Sequence, residues 1–161
     1  MELWDVLDEN GNKTGRVVER GKPMEKGDYH LVCLVWIKNS DGKFLISKRS
    51  ENKSGANKWE IAGGAVIAGE SSLQGALREV KEELGISLKI EKGIFIKRIK
   101  FDSNNSWFGD IWLFNNDVNI SDIVLQEEEV SDVRWATNDE ILILIQNEEF
   151  FNGSIFLDTI L

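Results

Sequence analysis

The chain has 161 residues and a formal net charge of −9, with 42% hydrophobic and 29% charged residues and a single cysteine. These values suit one globular domain around one core rather than a disordered chain, and one cysteine excludes an internal disulfide. The acidic balance argues against a nucleic-acid polymer as partner, because phosphate backbones are held by clustered Lys and Arg; a small anion stays open, since a bound metal reverses the local sign.

The start, MELWDVLDENGNK, has no basic region and no long apolar stretch, so it is not read as a secretory signal. The longest apolar run, LVCLVWI, is too short to span a bilayer. The expectation is a cytoplasmic protein with no membrane partner. LWDVLDENGNKTGRVVERG predicts a hairpin about Asn10-Gly11. Tyr29 to Ile37 is apolar on both faces, as a central strand is. A turn at Asp41-Gly42 then leads to a returning strand, Phe44 to Arg49. A polar loop, SENKSGANK, precedes Trp59 and the glycine-rich IAGGAVIAGE; Trp59 is read as packing.

A helix follows. Ser71 with Gln74 forms a capping-box pattern, Gly85 is placed to end the helix, and Leu73, Ala76, Leu77, Val80 and Leu84 make one apolar stripe. ISLKI, IFIKRIKF, WFGDIWLF and VSDVRWA read as further strands, and Trp107 and Phe108 also fall in the polar stretch DSNNSWFGD. Thr137 with Glu140 opens a second helix through DEILILIQN. The end, residues 148–161, reads as either a short helix or an edge strand, and is a candidate dimer contact. The total is an α/β (α+β) fold, a mixed sheet flanked by helices in three layers.

Within the first helix, Glu79, Glu82 and Glu83 project as one cluster, since residues three and four apart are neighbours. Like charges at that spacing cost roughly 0.2–0.5 kcal/mol per pair. Such a run alone is a common solvated face, but oxygen donors without matching lysines are also what Mg²⁺ takes. Spacing separates the two readings. Gly64, Glu70, Arg78, Glu79, Glu82, Glu83 and Gly85 stand in the order G-x5-E-x7-R-E-U-x-E-E-x-G-U, with aliphatic Val80 and Ile86 at the U positions. Seven fixed positions at common-residue frequencies give a chance match on the order of 10⁻⁸ per window.

This pattern resembles the Nudix box, here residues 64–86, and residues 1–161 are read as one Nudix-type α/β/α sandwich. The resemblance implies a hydrolase that cleaves a diphosphate linkage, commonly in a nucleoside diphosphate joined to another group, with Mg²⁺ (Mn²⁺ as a substitute) and a small-molecule diphosphate substrate. It also implies site residues: Glu79, Glu82, Glu83 and the Gly64 carbonyl as metal ligands, Arg78 orienting the cluster and Glu70 holding Arg78, and Glu82 or Glu83 assisting deprotonation of water. In some members the base lies in a loop, which makes Glu127, Glu128 and Glu129 candidates. Ala62 stands where many members have proline.

Outside the box, residues 2–84 are similar to the branch related to isopentenyl-diphosphate isomerase, which makes an isomerase the runner-up, with a non-catalytic binding module third. The isomerase cysteine lies in the region matching WEIAGGA, where this chain has none; Cys33 sits in an apolar strand, where a lone cysteine is an inert core residue. His30 matches a histidine at the isomerase strand start, a candidate for phosphate or metal beside the reading of a structural strand-end residue. Lys48 and Arg49 end a strand near the site and are candidates for phosphate contacts. Trp107 is a candidate for stacking on a nucleobase.

Overall fold

The structure, a computed structural model, describes residues 1–157 and 159. An N-terminal hairpin pairs β1 (Leu3–Leu7) with β2 (Lys13–Glu19) around the Asn10-Gly11 turn. Its inner residues Trp4, Val6 and Leu7 are buried. Among the described residues the main sheet has seven strands. β3 (His30–Lys38), β4 (Phe44–Arg49), β5 (Trp59–Glu60), β7 (Ile94–Phe101) and β8 (Trp107–Asn115) run in the order β5-β4-β3-β8-β7. β6 (Ala62–Ala65) pairs with β3, and β9 (Val130–Ala136) pairs with β4. The β3–β8 pair is parallel and the others antiparallel, so the sheet is mixed.

β3 is central because both of its faces find apolar partners. Cys33, Val35 and Ile37 face α1 (Ser72–Leu84), beside Ala76, Val80 and Leu84. Trp36 faces the other layer, where Ile141 and Leu144 of α2 (Asn138–Gln146) and Phe156 of α3 (Gly153–Phe156) cover the sheet. β3 meets β4 only at Lys38–Phe44 and gives Val32–Val35 on that edge to β6. The glycines of β6 thereby lie against the middle of the sheet.

Both capping boxes form, at Ser71 with Gln74 and at Thr137 with Glu140. Gly85 closes α1 in the left-handed conformation, φ 70°. The predicted strand ISLKI is absent. After Gly85 the chain runs irregularly, with Ile86 buried in the core, and ends in a short 3₁₀ turn, Ile90–Lys92. Trp107 and Phe108 open β8 rather than lying in a loop, and Phe108 is buried against Leu7 and Tyr29. The C-terminal segment combines both predicted forms: Phe150 bridges to Trp59 as an added edge, and α3 follows. Asp158, Ile160 and Leu161 lie outside the described residues.

Candidate active site

The site forms where β6 turns into α1. Gly63 is required by close approach: a Cβ there would stand 2.2 Å from the Cys33 carbonyl oxygen. Gly64 is required by the helix: a Cβ there would stand 2.6 Å from the Glu79 carboxylate. The two glycines therefore let the β6 backbone lie between β3 and the helix carboxylates.

The three glutamates of α1 differ sharply in environment. Glu83 is 5% exposed, because it follows Ala76 and Val80 along the buried face, and its Oε1 accepts from the Gly63 amide at 3.1 Å. Burial, then the charges of Glu79 and Glu60, push its carboxyl well above the ordinary carboxylate range. Glu79 is half-buried, and burial raises its carboxyl too, against the pull of Arg78. Glu82 is exposed.

Arg78 ties this face together. Its Nε donates to Glu70 Oε2 at 2.8 Å, Nη2 to Glu70 Oε1 and the Ala65 carbonyl at 3.0 Å each, and Nη1 to Glu79 at 2.9 Å and Glu82 at 3.3 Å. The Glu70 hydrogen bonds hold the guanidinium charged. Burial works against the Glu70 carboxylate, yet Arg78 and the Ile67 amide keep it below its usual range.

The donor set suits a hard divalent cation. It consists of carboxylate oxygens from one helix face beside a backbone that only glycine can bring so near, with no nitrogen or sulfur ligand required. Buried Glu83, raised by its like-charged neighbours, is a group that a cation would relieve. Among the described residues no three acidic, His or Cys side chains close on a single point. The hydrogen bonds give the reason: Arg78 draws Glu79 and Glu82 to itself, while the Gly63 amide holds Glu83.

Beside these groups lies a cleft of ≈ 360 Å³, bordered by Gly63, Gly64 and Ala65. His30 and Trp107 border it from neighbouring strands, paired directly in the β3–β8 register. His30 is 6% exposed and stacks flat on Trp4 of the hairpin, with ring centroids 4.2 Å apart. Burial, then the charge of Arg20, lowers its pKa to about 4, so the ring is neutral at pH 7. Trp107 stacks on Phe101 at 5.5 Å.

Arg49 also borders the cleft, but its donors are engaged: Nε to the Ser54 carbonyl at 2.7 Å and Nη1 to Glu60 Oε1 at 2.8 Å, with Phe151 lying 3.8 Å from the guanidinium. Lys48 is not among the cleft residues; its ammonium lies 5.8 Å from the Trp59 ring. Glu128 is exposed, away from the cleft lining, and uses its carbonyl to accept from Ser50 Oγ at 2.7 Å. In that acidic loop Glu129 is the residue linked to the cleft, through an ion pair with Lys53.

Residues 28–158 match the family model of the NUDIX domain. The chain belongs to the Nudix family. A Nudix hydrolase of Listeria monocytogenes is 42% identical over 153 residues, covering 93% of this chain and 88% of that protein. The crystal structure of a MutT protein from Methanosarcina mazei superposes with a TM-score of 0.66 at 27% identity, covering 84% of this chain and 90% of that one. A Deinococcus radiodurans protein, DR0079, shares the fold with a TM-score of 0.73 at 24% identity, over 92% of this chain and 91% of its own. This Nudix hydrolase thus carries the general activity of its family, hydrolysis of pyrophosphate linkages in small molecules. None of its described helices is long and apolar enough to cross a membrane.

Beyond the sequence-predicted residues, the structure brings Arg20, Lys53, Glu60, Asn105 and Phe151 to the cleft. Only Glu60 had a local signal, as a carboxylate in the strand that feeds the glycines.

Proposed function

We propose that this Nudix hydrolase cleaves a diphosphate linkage in a nucleoside diphosphate joined to another group, or a similar small molecule, with Mg²⁺ held by Glu79, Glu82 and Glu83. The observation that carries the reading is buried, like-charged Glu83 meeting Glu79 at the glycine edge of an open cleft. A buried and a half-buried carboxylate, both raised by burial, are costly to ionise alone and become stable beside a cation. The Gly64 carbonyl is an added donor for the ion, although in this arrangement it accepts from the Cys33 thiol at 3.4 Å. A bound divalent ion supplies charge against the diphosphate oxygens and Lewis acidity at the phosphorus.

The protein's own groups divide the remaining work. Arg78 fixes Glu79 and Glu82, and Glu70 fixes Arg78. Glu82 or Glu83 accepts the proton of the attacking water. His30, neutral, and Trp107 flank the organic group. The isomerase reading is the weaker one, because burial pushes the Cys33 thiol up to about 12 and the side chain lies inside β3. Phosphate release with and without Mg²⁺, from nucleotide sugars, dinucleotides, nucleoside triphosphates and prenyl diphosphates, tests the proposal. Metal-dependent cleavage supports it. Silence across the panel, with isopentenyl diphosphate isomerised instead, would overturn it.

A further inference from the structure

Glu60 ends β5, three residues before Gly63, and lines the cleft that Ile61, Val32 and Leu34 also line. Its side chain is 14% exposed. Among the described residues only Oε1 is engaged, by Arg49 Nη1 at 2.8 Å; Oε2 takes no hydrogen bond. Arg49 is itself fixed by the Ser54 carbonyl and by Phe151, so Glu60 is held in a built ion pair rather than a loose surface contact.

We propose that Glu60 is a specificity-determining residue, whose second carboxylate oxygen accepts a hydrogen bond from a hydroxyl on the organic group of the substrate. An ionised carboxylate can only accept. Phosphate oxygens are negative acceptors and are repelled by it, so the diphosphate does not lie against Glu60. A hydrocarbon chain offers it no donor and would leave its second oxygen desolvated and unpaired, which is costly. A hydroxyl-bearing group answers both conditions. Three residues of chain span at most about 10 Å, so a hydroxyl near Glu60 and a diphosphate near Gly63 and Gly64 fit within one small molecule. Val32, Leu34 and Ile61 line the same cleft and offer apolar surface to the rest of that group. The cleft thus selects hydroxyl-bearing diphosphates over prenyl diphosphates. This inference rests on the diphosphate-hydrolase reading above.

The test compares wild type with Glu60→Gln, which keeps an oxygen for Arg49, on three substrates with Mg²⁺: a nucleoside diphosphate sugar, its deoxy-sugar analogue and geranyl diphosphate. The expected result has four parts. Wild type prefers the hydroxylated substrate. The variant loses about ten- to a hundred-fold in kcat/KM on that substrate, mainly through KM, the size expected for a hydrogen bond to a charged group. On the deoxy analogue the variant loses nothing relative to wild type. The loss persists at saturating Mg²⁺, under conditions where the variant is fully folded. An equal loss on all substrates, or no loss at all, would overturn the assignment. Wild type that cleaves none of the three would instead sink the hydrolase reading, and the inference with it.

Discussion

Glu83 is a carboxylate enclosed by protein, with one backbone amide as its hydrogen-bond donor and two other carboxylates near it. Replacement by Gln keeps the size and removes the charge. Turnover with Mg²⁺ should fall by at least about a hundred-fold, as it does when a preorganised charge partner is lost. Stability should move the other way. A carboxyl raised in the folded state contributes stability that is present below its unfolded pKa and is lost as pH rises through the folded value. In EDTA at neutral pH the Glu83→Gln variant should therefore unfold at higher urea than wild type, and the advantage should vanish near pH 4. A lower midpoint at pH 7.5 would show that Glu83 is not strained by its neighbours. His30 has the opposite sign. Its pKa is lowered to about 4 from 6.5, so its contribution is present above 6.5 and lost as pH falls through 4, roughly 3 kcal/mol in all. Replacing it with Gln should flatten the urea midpoint between those limits. At this scale the sequence disclosed the residues with fixed spacing: Glu70, Arg78 and the three helix glutamates. It could not separate Lys48 from Arg49, because the register shift between them on β9 breaks the simple alternation of the strand. Glu60 has no spacing partner, and its proximity to Glu83 exists only in three dimensions.

Helix α1 carries four of the candidate groups, so its first turn sets their height along the sheet. Ser71 Oγ accepts from the Gln74 amide at 3.1 Å while Gln74 Oε1 accepts from the Ser71 amide at 2.9 Å. Ser71→Ala should cost about 1 kcal/mol, read as a lower unfolding midpoint with kcat nearly unchanged. At the other end, residues that read as plain loop do structural work: the Val124 and Gln126 amides donate to the Leu84 and Glu83 carbonyls, meeting the helix's unpaired acceptors. Helices were legible because capping residues and apolar stripes are local signals. ISLKI was misread because alternation alone does not supply a neighbouring strand: β7 takes the open edge of β8, and Ile86 is instead drawn into the core.

Across the whole molecule, the net charge is −9, and the proposed cation site adds a test at this scale. If Mg²⁺ is held by the folded arrangement as proposed, it should raise the melting temperature by mass action. Because Glu79 and Glu83 hold their protons to higher pH than ordinary carboxylates, the half-activating Mg²⁺ concentration should drop between pH 5.5 and 7.5, where free carboxylates are already ionised. A flat profile over that range would mean that the ion is bound elsewhere. The three-layer class followed from one strand that is apolar on both faces with helices before and after its partners. The shape of the cleft did not, since its walls come from chain positions as far apart as Arg20 and Phe151.

The first hairpin shows what that dispersal entails. It precedes residues 28–158, the span that the family model matches. Yet Trp4 lies flat on His30, the Leu3 carbonyl accepts from the Ala68 amide at 2.7 Å, and Asp5 Oδ2 accepts from the Gly69 amide at 2.9 Å. The loop that leads into α1 is therefore braced from outside the span of the family model. A fragment begun at residue 28 would bare the back of His30 and leave two amides of that loop without acceptors. The boundary of the family model thus falls inside a packed unit, and the hairpin belongs with the loop that it holds.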